Sequence, residues 1–287
     1  MSTVSAPDPG HYAMTPSVAD IPSSTNWEWR VAALVNGFRD ATAYRIEFLF
    51  EIVGSAMVPA LVQWILWYAI FKIGGATEVA GMSYGQMVQY TLVSLLFTQV
   101  RGGDLDFELA EMIRSGQLSN YLLRPVSVVE FTFIRGSAPR FFIAGLCLAI
   151  GCGVGLAFGL SPGRMVGAMA LALLGNVIHY QFGACLATTS FFWEESYSVL
   201  MVKNMIVSLL SGELIPLFLF PASLSWIWKM TPFYLYVYGP TRYAQGEWTH
   251  LHFLGLIGIA LAWIVGFAIL IRVLWTIGIR RYLSLGG

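Results

Sequence analysis

Six apolar runs dominate this chain: 52–71, 83–100, 141–160, 165–192, 199–220 and 253–271. A helix needs about 20 apolar residues to cross roughly 30 Å of hydrocarbon, and each run meets or approaches that length. A soluble domain of comparable size carries about 25% charged residues, whereas here only 11% of 287 residues are charged and 57% are hydrophobic. That is too little charge to coat a soluble core, so lipid must serve as part of the solvent. The expected fold is an all-α polytopic membrane protein of six transmembrane helices.

The distribution of the sixteen basic residues sets an expected orientation. With the N-terminus in the cytoplasm, Lys72, Arg164, Lys229 and Arg242 fall outside and all the others inside, as the positive-inside rule requires. Both termini are then cytoplasmic. Net charge is zero, which offers nothing to nucleic acid. Residues 1–25, rich in Ser, Thr, Pro and Ala, lack the basic start and apolar core of a secretory signal and read as a disordered cytoplasmic tail. Residues 26–287 form the membrane domain. Cys147, Cys152 and Cys185 sit in apolar runs and match no zinc spacing, so they read as packing residues.

Ahead of the first span, Trp27, Val31, Leu34 and Phe38 recur at helical spacing, with Glu28, Asn36, Arg39 and Asp40 opposite. This pattern predicts an interfacial helix with its aromatics in the membrane surface. The second run carries Gln86, Gln89 and Gln99 and should face protein. In the fourth, His179, Asn176 and Gln181 read more readily as interhelical hydrogen-bonding groups than as a proton relay. The segment 221–252, rich in Trp, Tyr and Pro, is expected to be an outer re-entrant segment of short interfacial helices. His250 and His252 alone do not make a metal site.

The loop 101–140 carries the most information. Asp104, Glu108 and Glu111 form an acidic stripe, and Leu105, Leu109, Met112 and Ile113 an apolar one a fraction of a turn away. Asp104 suits the N-cap, and Arg114 closes the helix. Phe107 falls outside the apolar stripe. A partner docking on this face and a solvated loop helix with one stray aromatic both fit that pattern. The helix should stop near Gly116.

In the fifth run, Glu213 is flanked by Gly212 and Pro216, which should break the helix and free carbonyls that something must satisfy. A carboxylate at the bilayer centre costs roughly 2.5–3.5 kcal/mol on insertion scales, so Glu213 should face a cavity, a partner helix or water. It reads as a structural acid at the break or as a substrate-sensing cavity residue. Lys203 reads as a lysine snorkelling to the interface.

The run from Gly116 to Pro125, Gly-Gln-Leu-Ser-Asn-Tyr-Leu-Leu-Arg-Pro, resembles the G-x-L-x-x-Y-L-L-R-P signature of ABC-2 type transporter permeases. The segment Ser211-Gly212-Glu213-Leu214-Ile215-Pro216-Leu217 with Phe220-Pro221 is similar to the family's fifth-span motif. The end, Arg281-Tyr282 through Gly286-Gly287, resembles its R-Y…G-G tail. The resemblance implies a non-catalytic, six-helix permease of a bacterial or archaeal cytoplasmic membrane. It implies pairing with a second permease protomer, identical or homologous, and with an ATP-binding subunit on the cytoplasmic face. ATP and magnesium would be held by that subunit, and this chain would need no cofactor. Helix 104–114 would be the coupling helix, through Asp104, Phe107, Glu108, Glu111 and Arg114, and the transported molecule a drug, lipid, peptide or similar amphipathic compound.

Independently, the chain lacks a G-x-x-x-x-G-K-[ST] phosphate loop, so it is not the ATPase. An ion-gradient-driven carrier or channel using Glu213 or His179 is the alternative, although no internal repeat supports a carrier built from repeated halves. The chain has no HExxH motif and no closely spaced pair of acids within a span, which argues against an intramembrane enzyme.

Overall fold

The structure is a computed structural model that describes residues 27–43, 45–101, 105–123, 126–193 and 195–284, with the side chains of 40–52 and 283–284 left aside. The expected tail 1–25, Asp104, the Arg124-Pro125 pair and the terminal Gly286-Gly287 lie outside the described residues. Lipid offers no hydrogen bonds, so apolar chain must satisfy its own backbone, and helices do this within one segment. The described elements are α1 (Trp27–Ala43), α2 (Arg45–Tyr68), α3 (Tyr84–Arg101), α4 (Leu105–Arg114), α5 (Leu118–Leu122), α6 (Val128–Ala157), α7 (Pro162–Ala187), α8 (Ser196–Leu210), α9 (Ser225–Lys229), α10 (Tyr238–Ala244) and α11 (His250–Ser284). A π-helical turn, Ala69–Ile73, continues α2, and a 3-10 turn, Thr188–Phe191, continues α7.

Four of these helical stretches are long and apolar enough to cross a membrane by themselves: Val53–Ile73, Val128–Ala157, Pro162–Phe191 and His250–Tyr282. Helix α3 is less apolar and lies inside the bundle, with Met87, Tyr90, Val93, Phe97 and Val100 buried, as its glutamines led one to expect. Helix α8 departs from the expected run 199–220. It ends at Leu210, and its 15 residues cover only about 22 Å, short of the hydrocarbon thickness.

The chain after α8 completes the crossing in irregular form. Within the expected outer re-entrant segment 221–252, residues 232–241 are all buried, so this part packs among the helices instead of forming an interfacial belt. The two ends of the segment are exposed, with Trp226 and Met230 at one and Thr249 and Leu251 at the other. The buried stretch follows α7 through three glycines and a leucine. A Cβ on Gly175 would stand 3.0 Å from the Tyr236 Cα, one on Gly239 would meet Leu171, and one on Gly167 would stand 2.9 Å from the Tyr243 ring. Residues 233–244 thus run antiparallel to α7, with their tip deep among the helices.

Helix α1 packs along the first half of α6, which a Cβ on Gly37 would foul at the Arg135 carbonyl. Arg30 pairs with Glu130 at 2.8 Å. Small residues, Ala33 and Gly37, face α6, while Trp27, Val31 and Phe38 remain exposed. An amphipathic helix at a membrane surface has this arrangement.

Candidate functional site

Helix α4 is seated in the bundle at two glycine notches. Leu105 fills the space a side chain on Gly136 of α6 would occupy, and Asp106 fills that of Gly183 on α7, where an added Cβ would lie 2.6 Å from the carboxylate. Leu109, Met112 and Ile113 are buried as their spacing predicts. Gly116, at φ +79°, terminates this segment, and the Tyr282 hydroxyl at the end of α11 donates to its carbonyl at 3.0 Å. The Tyr282 and Ser119 hydroxyls lie 2.9 Å apart. Two of the recognised motifs, the Gly116 loop and the Arg281-Tyr282 tail, therefore touch.

Asp106 had no part in the sequence reading, yet it makes the most buried polar contact of α4. Its carboxylate accepts from the Lys203 Nζ of α8, the two side chains being 4% and 1% exposed. Lys203 is therefore not an interface-snorkelling lysine, because a partner inside the bundle removes the reason to reach for water. A signal for Asp106 was present: it lies three, four and seven residues before Leu109, Ala110 and Ile113, on the apolar face. An acid there requires a buried partner.

The acids assigned to the open stripe divide. Glu108 accepts from Arg135 of α6, half-buried, whereas Glu111 pairs with Arg114 at 2.6 Å and both are more than half exposed. Phe107 is not the freely exposed aromatic its helical position predicts. Its ring meets Tyr197 of α8 edge-on at 5.0 Å. Phe107, Glu111, Arg114 and Tyr197 line a shallow groove of about 170 Å³ at the α4–α8 junction.

The second constellation is the break after α8. Gly212 adopts φ +80°, a conformation open to glycine at little cost. Three carbonyls at the break are engaged: Ser211 accepts from the Tyr238 backbone N–H at 2.9 Å, Gly212 from the Tyr90 hydroxyl at 2.9 Å, and Glu213 from Gln63 Nε2 at 2.9 Å. Pro216 then precedes a 3-10 turn, Leu217–Leu219. The Glu213 carboxylate binds Arg101 at 2.5 Å, with the side chains 17% and 11% exposed. Tyr90 and Arg101 lie roughly 16 Å apart along α3, and their long side chains converge on this one turn.

His179 is buried with its ring edge-on to Tyr236. Its Nδ1, the Tyr236 Oη and the Arg101 Nε have no partner among the described residues. Asn176 and Gln181 form no hydrogen-bonded patch with His179 there. His250 is hydrogen-bonded to Tyr243 at 2.8 Å, and His252 packs against Trp248. Each histidine of that outer pair thus has its own aromatic contact.

Two ion pairs therefore tie α8 and the break after it to distant elements: α4 to α8 through Asp106 and Lys203, and α3 to the break through Arg101 and Glu213. Compared with known proteins, residues 57–286 match a family model described as ABC-2 family transporter protein. No curated protein and no solved structure matches.

Proposed function

The chain belongs to the ABC-2 transporter family, and from that premise we propose that it is the permease of an exporter driven by a separate ATP-hydrolysing subunit. It is a multi-pass membrane protein, and its family supplies the membrane part of ABC transporters. In this reading the ATPase docks on the cytoplasmic face at α4, both termini are cytoplasmic, and a second permease protomer completes the transport path. The membrane is the cytoplasmic membrane of a bacterium or archaeon. The cargo is amphipathic or hydrophobic, and ATP and magnesium stay on the partner.

The observation that supports this reading best is the sealed Asp106–Lys203 pair. A buried pair loses much stability when one partner is removed, so α4 and α8 resist separation and tend to move together. Force applied to α4 from outside the membrane would thus reach α8 and the break at Gly212. Exposed Glu111 and Arg114 and the groove beside Phe107 remain available on the outer side of α4. The gradient-driven alternative would use Glu213, which is held by Arg101, or His179, which is buried against Tyr236.

The test is a pull-down of the full chain in mild detergent, with mass spectrometry of what stays bound, followed by vesicle transport with the recovered complex. An ATP-hydrolysing subunit should co-purify, and accumulation of a lipophilic dye should depend on ATP. Transport by the isolated chain on a proton or sodium gradient, without any ATPase, would replace this reading with the carrier.

A further inference from the structure

The bundle contains a cavity that the coupling elements do not use. It lies between α6, α7 and α11 and has a volume of about 760 Å³; Phe133, Val177, Ile271 and Trp275 line it, together with Glu130, whose carboxylate is held by Arg30. At its mouth stands Arg272, which also lines an adjoining groove of about 460 Å³ together with Thr276 and Arg280. These three residues recur every four positions and so share one stripe of α11. Arg272 and Arg280 form no ion pair among the described residues, unlike Arg30, Arg101, Arg114, Arg135 and Arg242. Gln181, on the cavity wall, has an Oε1 with no partner there either.

Position decides what such a site can hold. Residues 253–271 contain no Asp, Glu, Lys or Arg, and their helical length of about 28 Å matches the hydrocarbon thickness. Arg272 therefore stands at the hydrocarbon boundary and Arg280 about 12 Å further along, in the headgroup zone or just beyond it. The recess lies beside Arg272 at this boundary, between Ala268 and Thr276 of α11 and the start of α6. Two guanidiniums with no ion pair among the described residues, at phosphate level over an apolar recess, complement an anionic phospholipid: its phosphate on the arginines, its acyl chain in the chamber. We propose that the α6–α7–α11 cavity is a binding site for one anionic membrane phospholipid, with Arg272 and Arg280 as its headgroup ligands. This site requires the chain to be embedded in a membrane and does not depend on what it transports.

The experiment is native mass spectrometry of the full chain, purified in mild detergent and titrated with dioleoylphosphatidylglycerol or dioleoylphosphatidylcholine. The anionic lipid should be retained at roughly tenfold to thirtyfold lower concentration, since each basic residue near a membrane surface contributes about one such partial step. Arg272→Gln with Arg280→Gln should erase the preference, and Arg280→Gln alone, at an exposed position, should reduce it several-fold even if the double variant folds poorly. Arg281→Gln should leave it intact, because that side chain lies over Phe192 outside the cavity. Ala268→Phe, which fills the chamber, should weaken retention of both lipids. Equal retention of the two lipids, or equal loss in Arg281→Gln, would overturn the site. So would displacement by glycerol 3-phosphate alone, which would mark a free-phosphate site. A change of oligomeric mass in the arginine variants, marking a protomer contact, would overturn it as well.

Discussion

Lys203 on α8 donates to the carboxylate of Asp106 on α4 in a contact that water scarcely reaches, the two side chains being 1% and 4% exposed. Gly183 makes the contact possible by leaving room for Asp106 against α7. Removing one partner of such a pair leaves an unmatched buried charge, at a typical cost of about 3–5 kcal/mol, whereas replacing both by apolar residues is often neutral. Asp106→Leu and Lys203→Met should each lower the thermal midpoint of the purified protein sharply, and the double variant should recover most of the loss. Gly183→Val should resemble Asp106→Leu, because its side chain would expel the carboxylate from its notch. Similar midpoints for the single and double variants would deny the pair any special coupling.

Glu213 and Arg101 invite a parallel experiment with a different expected balance. From the sequence alone, Glu213→Gln should be mild, since the amide keeps its hydrogen bonds. With Arg101 in contact, neutralising the acid strands a guanidinium that is only 11% exposed, and we expect a loss of about 2–3 kcal/mol, toward the lower end for a buried pair because some solvent remains. Arg101→Gln combined with Glu213→Gln should be more stable than either single variant. Chemical or thermal unfolding in detergent would measure this, with ATP-driven transport as the second readout. Full transport by Glu213→Gln at unchanged stability would show that the charge is dispensable.

The α4 seat shows which parts of such a site can be read from a sequence. Leu109, Met112 and Ile113 were legible because one helix face must be covered. Asp106 lay on that same face and was passed over, since the acids at Glu108 and Glu111 made a tidier stripe with Asp104. Its true partner was Lys203, 97 residues away, and no local pattern joins the two. The break at Gly212 was legible from Gly and Pro, and so was its need for donors, but not that Tyr90, Gln63 and Tyr238 supply them. That residues 233–244 pack among the helices was not legible, for a physical reason. A buried segment and an interfacial belt are both rich in Tyr and Phe, and what separates them here is Gly167 and Gly175 on another helix.

Topology can be checked without any transport assay. Thr77 and Thr249 are both exposed, in the turn before α3 and at the start of α11, and the basic-residue distribution assigns that end to the outside. In a background with Cys147, Cys152 and Cys185 replaced by Ser, Thr77→Cys and Thr249→Cys should react with an impermeant maleimide in intact cells. Ser115→Cys, exposed at the α4 end, should react only after the membrane is opened. The opposite labelling pattern would invert the orientation and remove α4 from reach of a cytoplasmic ATPase.

Phe107 gives the most direct test of coupling. Its ring is already half-buried against Tyr197, which leaves part of it facing the groove beside Glu111 and Arg114. Full burial of a Phe side chain is worth roughly 1.5–3 kcal/mol, so about half of that remains for a partner. Phe107→Ala should therefore weaken binding of the ATPase about fivefold to tenfold. It should also cost the permease roughly 1 kcal/mol through loss of the aromatic pair. Tyr197→Ala separates the two effects, because it removes the pair but keeps the phenyl ring that a partner would contact. If docking uses Phe107, Tyr197→Ala should match the stability loss of Phe107→Ala while retaining more of the ATPase. Glu111→Gln should have a smaller effect, since exposed ion pairs contribute below about 1 kcal/mol. Affinity of the ATPase subunit for detergent-solubilised variants, measured beside their thermal midpoints, resolves the question. Equal ATPase affinity across wild type, Phe107→Ala and Tyr197→Ala would confine Phe107 to packing and move the docking surface to another face of the loop.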